Sequence, residues 1–358
     1  MSGVNTVELK CLLISKGVRV NGEIYERFGN SFRINPDPRT CNSMMLPDGV
    51  NVQLNDAGCS GASPFRLKIL DSKPALFCDS EFVCFVTFHK KSDFYRQRTS
   101  SGLPFIGNAV LQGRDFVSFQ CLWYCEYAAA GKPCQFCFAG ADFDEHARQG
   151  KRQPSAVAAS DVAEIVRYAV CHDNVNSVQI TGGSTFSGEK EHRYIAGYLK
   201  AIDGCGADLT GEILLYITPP VNRAYIDEYF ALGASRIACS IEVWDRDRAN
   251  IITPGKMQIA TRKRYVDTLV YIAEKFGKNK AFCNFVIGLE SIETLTEGAT
   301  WLAERGIIPS ASIWMPMGRT VMGSGDGPDV EYFRQVTKML AGLYTRYGLR
   351  PAGGGGLN

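Results

Sequence analysis

A chain of 358 residues that is 45% hydrophobic and 21% charged has an ordinary globular composition, which excludes a disordered, collagen-like or fibrous protein. Lys and Arg number 39 against 37 Asp and Glu, and the net charge of +2 provides no long-range field for nucleic acid or an acidic membrane. No apolar stretch approaches the ~20 residues of a bilayer span and no export signal is visible, so a cytoplasmic protein is expected.

Residues 1–112 read as a mainly β accessory region. Strand-like segments at 66–70 and 82–89 are separated by turn-rich stretches at 35–39 and 46–49. From Phe116 onward, short apolar runs alternate with amphipathic segments of helical length, the pattern of repeated βα units. Strands are expected at 116–120, 178–181, 213–218, 236–241, 282–288 and 308–314. Helices are expected at 156–170, 192–202, 223–232, 258–276, 294–305 and 330–347. Six such units predict an α/β fold, a partial (β/α)6 TIM-type barrel over 113–348 with ligands at the C-terminal strand ends. A flexible Gly-rich tail follows at 349–358.

The 13 cysteines are an odd number in a long chain without an export signal, so reduced thiols are expected rather than a disulfide framework. Nine are scattered singly and read as small buried hydrophobes or incidental thiols. The other four, Cys121, Cys125, Cys134 and Cys137, fall in one run. Cys134 and Cys137 are spaced so that the intervening turn can direct both sulfurs to one metal centre, with a third or fourth ligand from Cys125 or Cys121. Taken alone, the run fits a four-thiolate zinc site or an iron–sulfur cluster. Its position directly after the first barrel strand, at the ligand-binding end, favours the cluster. The histidines, His89, His146, His172 and His192, have no metal-site spacing.

The run resembles the radical S-adenosylmethionine (SAM) superfamily, whose usual signature is three cysteines with gaps of three and two residues in the loop after the first strand. Phe136 stands where that signature has an aromatic residue, and Cys134 and Cys137 match its last two cysteines. The first gap is longer than usual. The resemblance implies Cys125, Cys134 and Cys137 as ligands, with Cys121 as the alternative first one. Gly182, Gly183 and Ser184 resemble the superfamily's Gly-Gly-Glu segment, whose backbone holds the methionine ammonium and whose glycines permit close approach. Ser240 and Glu242, followed by Arg264 or Arg262, resemble the biotin-synthase-like and hydrogenase-maturase-like branch. There the acid holds the ribose or ammonium and the arginine pairs with the SAM carboxylate. Arg246 and Arg248 are open to the same role or to a solvated one. The strand 284–288, with Ile287 and Gly288, resembles the one that packs against adenine. Tyr216 and Arg319, at other strand ends, are candidate substrate contacts.

A [4Fe-4S] cluster and SAM are therefore the implied cofactors, with reduced flavodoxin or ferredoxin as electron donor. The implied reaction is reductive cleavage of SAM to a 5′-deoxyadenosyl radical. That radical abstracts hydrogen from a small or medium-sized substrate such as a nucleoside, sugar, amino acid or cofactor precursor. Two other readings compete. One is a zinc-stabilised RNA- or protein-binding module using Cys121, Cys125, Cys134 and Cys137; the other is an iron–sulfur electron carrier. Both leave Gly182, Glu242 and Arg264 without a role.

Overall fold

The computed structural model describes residues 5–32, 42–54, 63–88, 92–112, 115–137, 156–314, 320–322 and 327–351. The chain begins with helix α1 (Thr6–Lys16), capped by Asn5, whose side-chain oxygen accepts from the Val7 and Glu8 amides. Strand β1 (Arg19–Val20) and helix α2 (Gly22–Phe32) follow, then a two-stranded sheet of β2 (Asn42–Met45) and β3 (Asn51–Leu54). Strands β4 (Phe65–Leu70), β5 (Lys73–Cys78) and β6 (Glu81–Phe85) complete a second sheet in the order β1-β4-β5-β6. The strand expected at 82–89 thus ends at Phe85; beyond it Thr87 makes a single bridge to Met45, and His89 lies outside the described residues. Leu13, Ile24, Met44, Val52 and Leu67 form the core of this part.

The larger sheet has seven strands in the order β13-β12-β11-β10-β9-β8-β7. Strands β8 (Phe116–Leu122), β9 (Ser177–Gly182), β10 (Ile213–Tyr216), β11 (Arg236–Ala238), β12 (Ala281–Ile287) and β13 (Ile308–Ile313) run parallel, giving the six expected βα units and a curled half-barrel. Strand β7 (Val110–Gln112) adds an antiparallel edge beside β8. Side chains alternate across such a sheet. Val117, Phe119 and Cys121 of β8 face outward, as do Val178 and Ile180 of β9, Ile237 of β11, and Cys283, Phe285 and Ile287 of β12. All are buried in the core shared with the helices. Their sequence neighbours line the concave side.

The helices are α3 (Glu126–Ala129), α4 (Ala159–Asp173), α5 (Glu189–Asp203), α6 (Ala224–Ala231), α7 (Arg246–Ile252), α8 (Arg262–Phe276), α9 (Ile292–Ala303) and α10 (Val330–Tyr347). Helix α7 has no counterpart among the expected elements. The helix expected at 258–276 is two pieces, a π-helical turn at Lys256–Ala260 and then α8. Thr261 separates them at φ 69°, and its side chain caps α8 by accepting from the Arg264 amide. The N-terminal part docks on the β13 flank, where Ile313 packs against its core and Arg334 of α10 pairs with Glu8 at 2.8 Å. Among the described residues no helix is long and apolar enough to cross a membrane.

Candidate active site

The cysteine loop leaves the C-terminal end of β8. Because Cys121 shares the outward face with Val117 and Phe119, its thiol is fully buried in the core, and burial holds it protonated. A Cβ added at Gly182 would lie 3.0 Å from that sulfur. Cys125 comes after the strand, immediately before α3, and is half-buried like Cys134 and Cys137. None of the three is in a disulfide. Burial pushes the Cys134 thiol up, with the Lys256 ammonium opposing and the charges of Cys137, Glu242 and Cys125 adding to the rise. The three thiols therefore sense one another. A metal centre relieves such a cluster by displacing its protons.

Distant segments hold the loop in place. The Gln135 amide donates to the Ile252 carbonyl at 2.8 Å and its side-chain amide to the Ile251 carbonyl at 2.7 Å, both at the end of α7. The Met322 amide donates in turn to the Gln135 carbonyl at 3.0 Å. Phe136 packs against the apolar cluster that contains Val243, Ile252, Val286 and Trp314. On the other side, the Glu126 amide donates to the Ser184 carbonyl at 2.8 Å, and the Glu126 carboxylate accepts from the Phe186 amide at 2.6 Å. Gly183 lies so close that an added Cβ would be 2.3 Å from the Tyr124 carbonyl oxygen and 2.9 Å from the Cys125 Cα. The immediate neighbour of the Gly-Gly-Ser segment is thus the cysteine loop.

Beyond the end of β11, Glu242 has φ 71°, a left-handed conformation unusual for a residue with a Cβ. Its carboxylate accepts from the Lys256 ammonium at 2.6 Å, and the same ammonium donates to the Ser240 carbonyl at 2.7 Å. Burial opposes the lysine's charge. The neighbouring Glu242 and Cys134 outweigh that effect and hold its pKa above the usual lysine value. Lys256 carries no motif, and sequence reasoning missed it.

The two candidate arginines diverge. The Arg264 guanidinium donates to the Phe186 carbonyl at 3.2 Å, and its charge also acts on the buried Tyr127 phenol, opposing the rise that burial causes there. Arg262 instead stacks 4.2 Å from the Trp244 ring centre, on a groove of ≈ 460 Å³ lined by Trp244, Arg246, Glu297 and Trp301. Arg248 is exposed on α7, with its amide donating to the Asp245 cap. The assignment of Ile287 needs correction: strand parity turns its side chain into the helix-facing core, and Val286 takes the inward place. Gly288 has φ 100°, and a Cβ there would meet Pro328 at 2.9 Å. Tyr216 lies on the concave face, edge-on to Phe282. Arg319 lies outside the described residues.

Among the described residues no three His, Cys, Asp or Glu side chains surround a point fit for a single metal ion. The zinc reading also needs Cys121, whose side chain is turned into the core. Three half-buried thiols past the end of β8, near enough that Cys125, Cys137 and the Lys256 ammonium act on Cys134, are the donor type of an iron–sulfur cluster.

A curled parallel sheet with thiols, a Gly-rich turn and polar groups at its C-terminal edge is the framework of a cofactor-dependent barrel enzyme. The sequence pattern of the radical SAM superfamily matches residues 125–302, and the chain belongs to that superfamily, whose enzymes use a [4Fe-4S] cluster and SAM. No curated protein matches the chain in sequence. Among solved structures, methylornithine synthase (PylB) is similar at 12% identity and a TM-score of 0.47, covering 63% of this chain and 61% of that one. The hydrogenase maturase HydG from Carboxydothermus hydrogenoformans is similar at 13% and 0.47, covering 66% and 53%. A radical SAM methyltransferase from Sphaerobacter thermophilus is similar at 13% and 0.48, covering 78% and 75%. The chain thus spans less than two thirds of the first two of these relatives.

Proposed function

We infer that this enzyme holds its cluster on Cys125, Cys134 and Cys137 and acts on a small or medium-sized molecule by hydrogen abstraction. The observation that carries the reading is the disposition of the cysteines: three half-buried thiols in the loop past β8, and the fourth, Cys121, turned into the core. The superfamily match also opens at Cys125. When bound, the [4Fe-4S] cluster supplies the low-potential electron by which SAM is split into methionine and a hydrogen-abstracting 5′-deoxyadenosyl radical.

The chain's own residues bind and orient. Glu242, steadied by Lys256 and Ser240, presents a carboxylate acceptor to the ribose or ammonium of SAM. Arg264, its guanidinium anchored on the Phe186 carbonyl beside the cysteine loop, offers a charged donor to the SAM carboxylate. Arg262 lies over the Trp244 ring, away from the Phe186 segment beside the cysteine loop, and is the second choice, its buried Nη1 being unpartnered as well. Gly182, Gly183 and Ser184 give the turn on which the cysteine loop rests. Val286 and Gly288 would border adenine, and Phe136, packed on the same apolar cluster as Val286, would shield the cysteine site from water. The described part of the N-terminal region up to β6 forms an accessory unit on the β13 flank, whereas Phe94, Tyr95, Phe105, Ala109 and β7 join the barrel at its other edge; reduced flavodoxin or ferredoxin delivers the electron.

The test is anaerobic reconstitution with iron and sulfide, then dithionite and SAM, with 5′-deoxyadenosine as the measured product. Cys125→Ala is expected to lose the cluster's visible absorbance and the product; Cys121→Ala is expected to keep both. A colourless protein that yields no 5′-deoxyadenosine would refute the reading.

A further inference from the structure

The inward face of the half-barrel carries polar side chains that neither the cluster nor SAM uses. In the parallel register Ser118 stands beside Gln179, Gln120 beside Thr181, and Asn284 beside Ser310. All have the parity opposite to the helix-facing core, so they point into the lumen with Tyr216. Resting on the function just proposed, we propose that the substrate is a neutral molecule rich in hydroxyl and amide groups, of sugar or nucleoside type. It is held on this face by Gln120, Gln179, Thr181, Tyr216 and Asn284.

Hydrogen-bonding capacity is the first argument. Gln179 is 8% exposed, yet its side-chain oxygen has no partner. A buried acceptor left unpaired is costly, and it is tolerated where a ligand brings the donor. Gln120 is exposed to the open lumen. The Asn284 oxygen already accepts from the Ser312 hydroxyl at 3.2 Å, which directs the asparagine's amide hydrogens elsewhere. Burial raises the Tyr216 phenol to about 12, with the Glu242 charge adding to the rise, so at neutral pH it is a donor. Donors and acceptors thus alternate over the face, which suits a ligand whose own groups do both.

Charge is the second argument. Among the described residues the charges of this face are already matched. Lys256 pairs with Glu242, and Arg236, at the opposite end of the strands, binds Glu212 at 2.8 Å and the Arg350 carbonyl at 2.9 Å. A carboxylate, phosphate or ammonium on the substrate would have to break one of these pairs. An apolar substrate would strip water from Gln179, Thr181 and Asn284 and return no hydrogen bond.

The probes are a panel of neutral nucleosides and free sugars, each beside its phosphate ester, together with the twenty amino acids and octanoic acid. Each is added to reconstituted enzyme with SAM and reductant. Two quantities are read: the shift in melting temperature, and 5′-deoxyadenosine formed relative to the sample without probe. At least one neutral compound is expected to raise the melting temperature and to increase 5′-deoxyadenosine tenfold or more, while its phosphate ester does neither. The responding arm, nucleoside or sugar, identifies the source. Gln179→Leu, or Tyr216→Phe should the first variant not fold, is expected to reduce that gain at least tenfold. A response confined to esters, amino acids or octanoic acid, no response at all, or a gain unaffected in the folded variants would overturn the proposal. The radical SAM reading is judged separately, by 5′-deoxyadenosine formed without any probe.

Discussion

Replacing Gly183 with alanine tests whether the cysteine loop rests on the Gly-Gly turn. The backbone at Gly183 is outside the left-handed region, so alanine adds steric contact without dihedral strain. The added Cβ would lie 2.3 Å from the Tyr124 oxygen, 2.6 Å from the Tyr124 carbonyl carbon and 2.9 Å from the Cys125 Cα. An unstrained carbon-to-oxygen contact is about 3.3 Å or more, so Tyr124 and Cys125 must retreat by about 1 Å. At Gly182 the nearest atoms are at 2.9 to 3.1 Å, which asks for only a few tenths of an ångström. Overpacking of this kind costs about 1–3 kcal/mol, and a 1 Å misplacement at a reacting centre costs on the order of 100-fold in rate. Gly183→Ala is therefore expected to fold with a lowered melting temperature, to bind less iron on reconstitution, and to form 5′-deoxyadenosine about 100-fold more slowly. Gly182→Ala should lose much less on each measure. Iron per chain, circular dichroism and product assay decide it: equal behaviour of the two variants would refute the reasoning.

Other residues allow equally direct tests. Lys256→Met leaves Glu242 as an unpaired buried carboxylate and should cost about 3–5 kcal/mol in urea denaturation of the cluster-free protein, whereas Glu242→Gln with Lys256→Met should recover most of that loss. Glu191 is 2% exposed, and burial raises its carboxyl from the ordinary 4.5 to about 8 against the hydrogen bond from the Thr218 amide. The folded form therefore holds a proton that the unfolded chain releases, so the contribution of Glu191 to stability is full below about 4.5 and is lost as pH rises toward about 8. Melting curves across that range should show the decline in the parent and a flatter profile in Glu191→Gln. Gly298→Ala would set a Cβ 2.4 Å from the Trp244 ring, and a loss of about 1–3 kcal/mol is expected, measured by thermal unfolding.

The six parallel strands are legible because each is a short apolar run between helical periods, and their ends fall within a few residues of the expected ones. The burial of Cys121 was also available: it alternates in step with Val117 and Phe119, and that parity separates it from the other three cysteines. The same parity puts Val286 inside and Ile287 outside. Helix α7 is only seven residues long, too short for periodicity, although Asp245 ahead of it is a readable cap. Lys256 could not be read, because it meets Glu242 across a π-helical turn that ends on a left-handed threonine, and neither feature has a sequence signature. Arg262 and Arg264 are two positions apart on one helix and so diverge, one toward Trp244 and the other toward Phe186, a choice made by packing partners far along the chain.

The clasp on Gln135 bears on how the protein is loaded. A peptide whose shape depends on its metal collapses when a chelator removes it. Here the segment between the second and third thiols is tied by backbone partners on α7 and at Met322, all formed by protein alone. Insertion of iron and sulfide would then be capture by a waiting cradle, and the stripped polypeptide is expected to take up iron again with its circular dichroism unchanged.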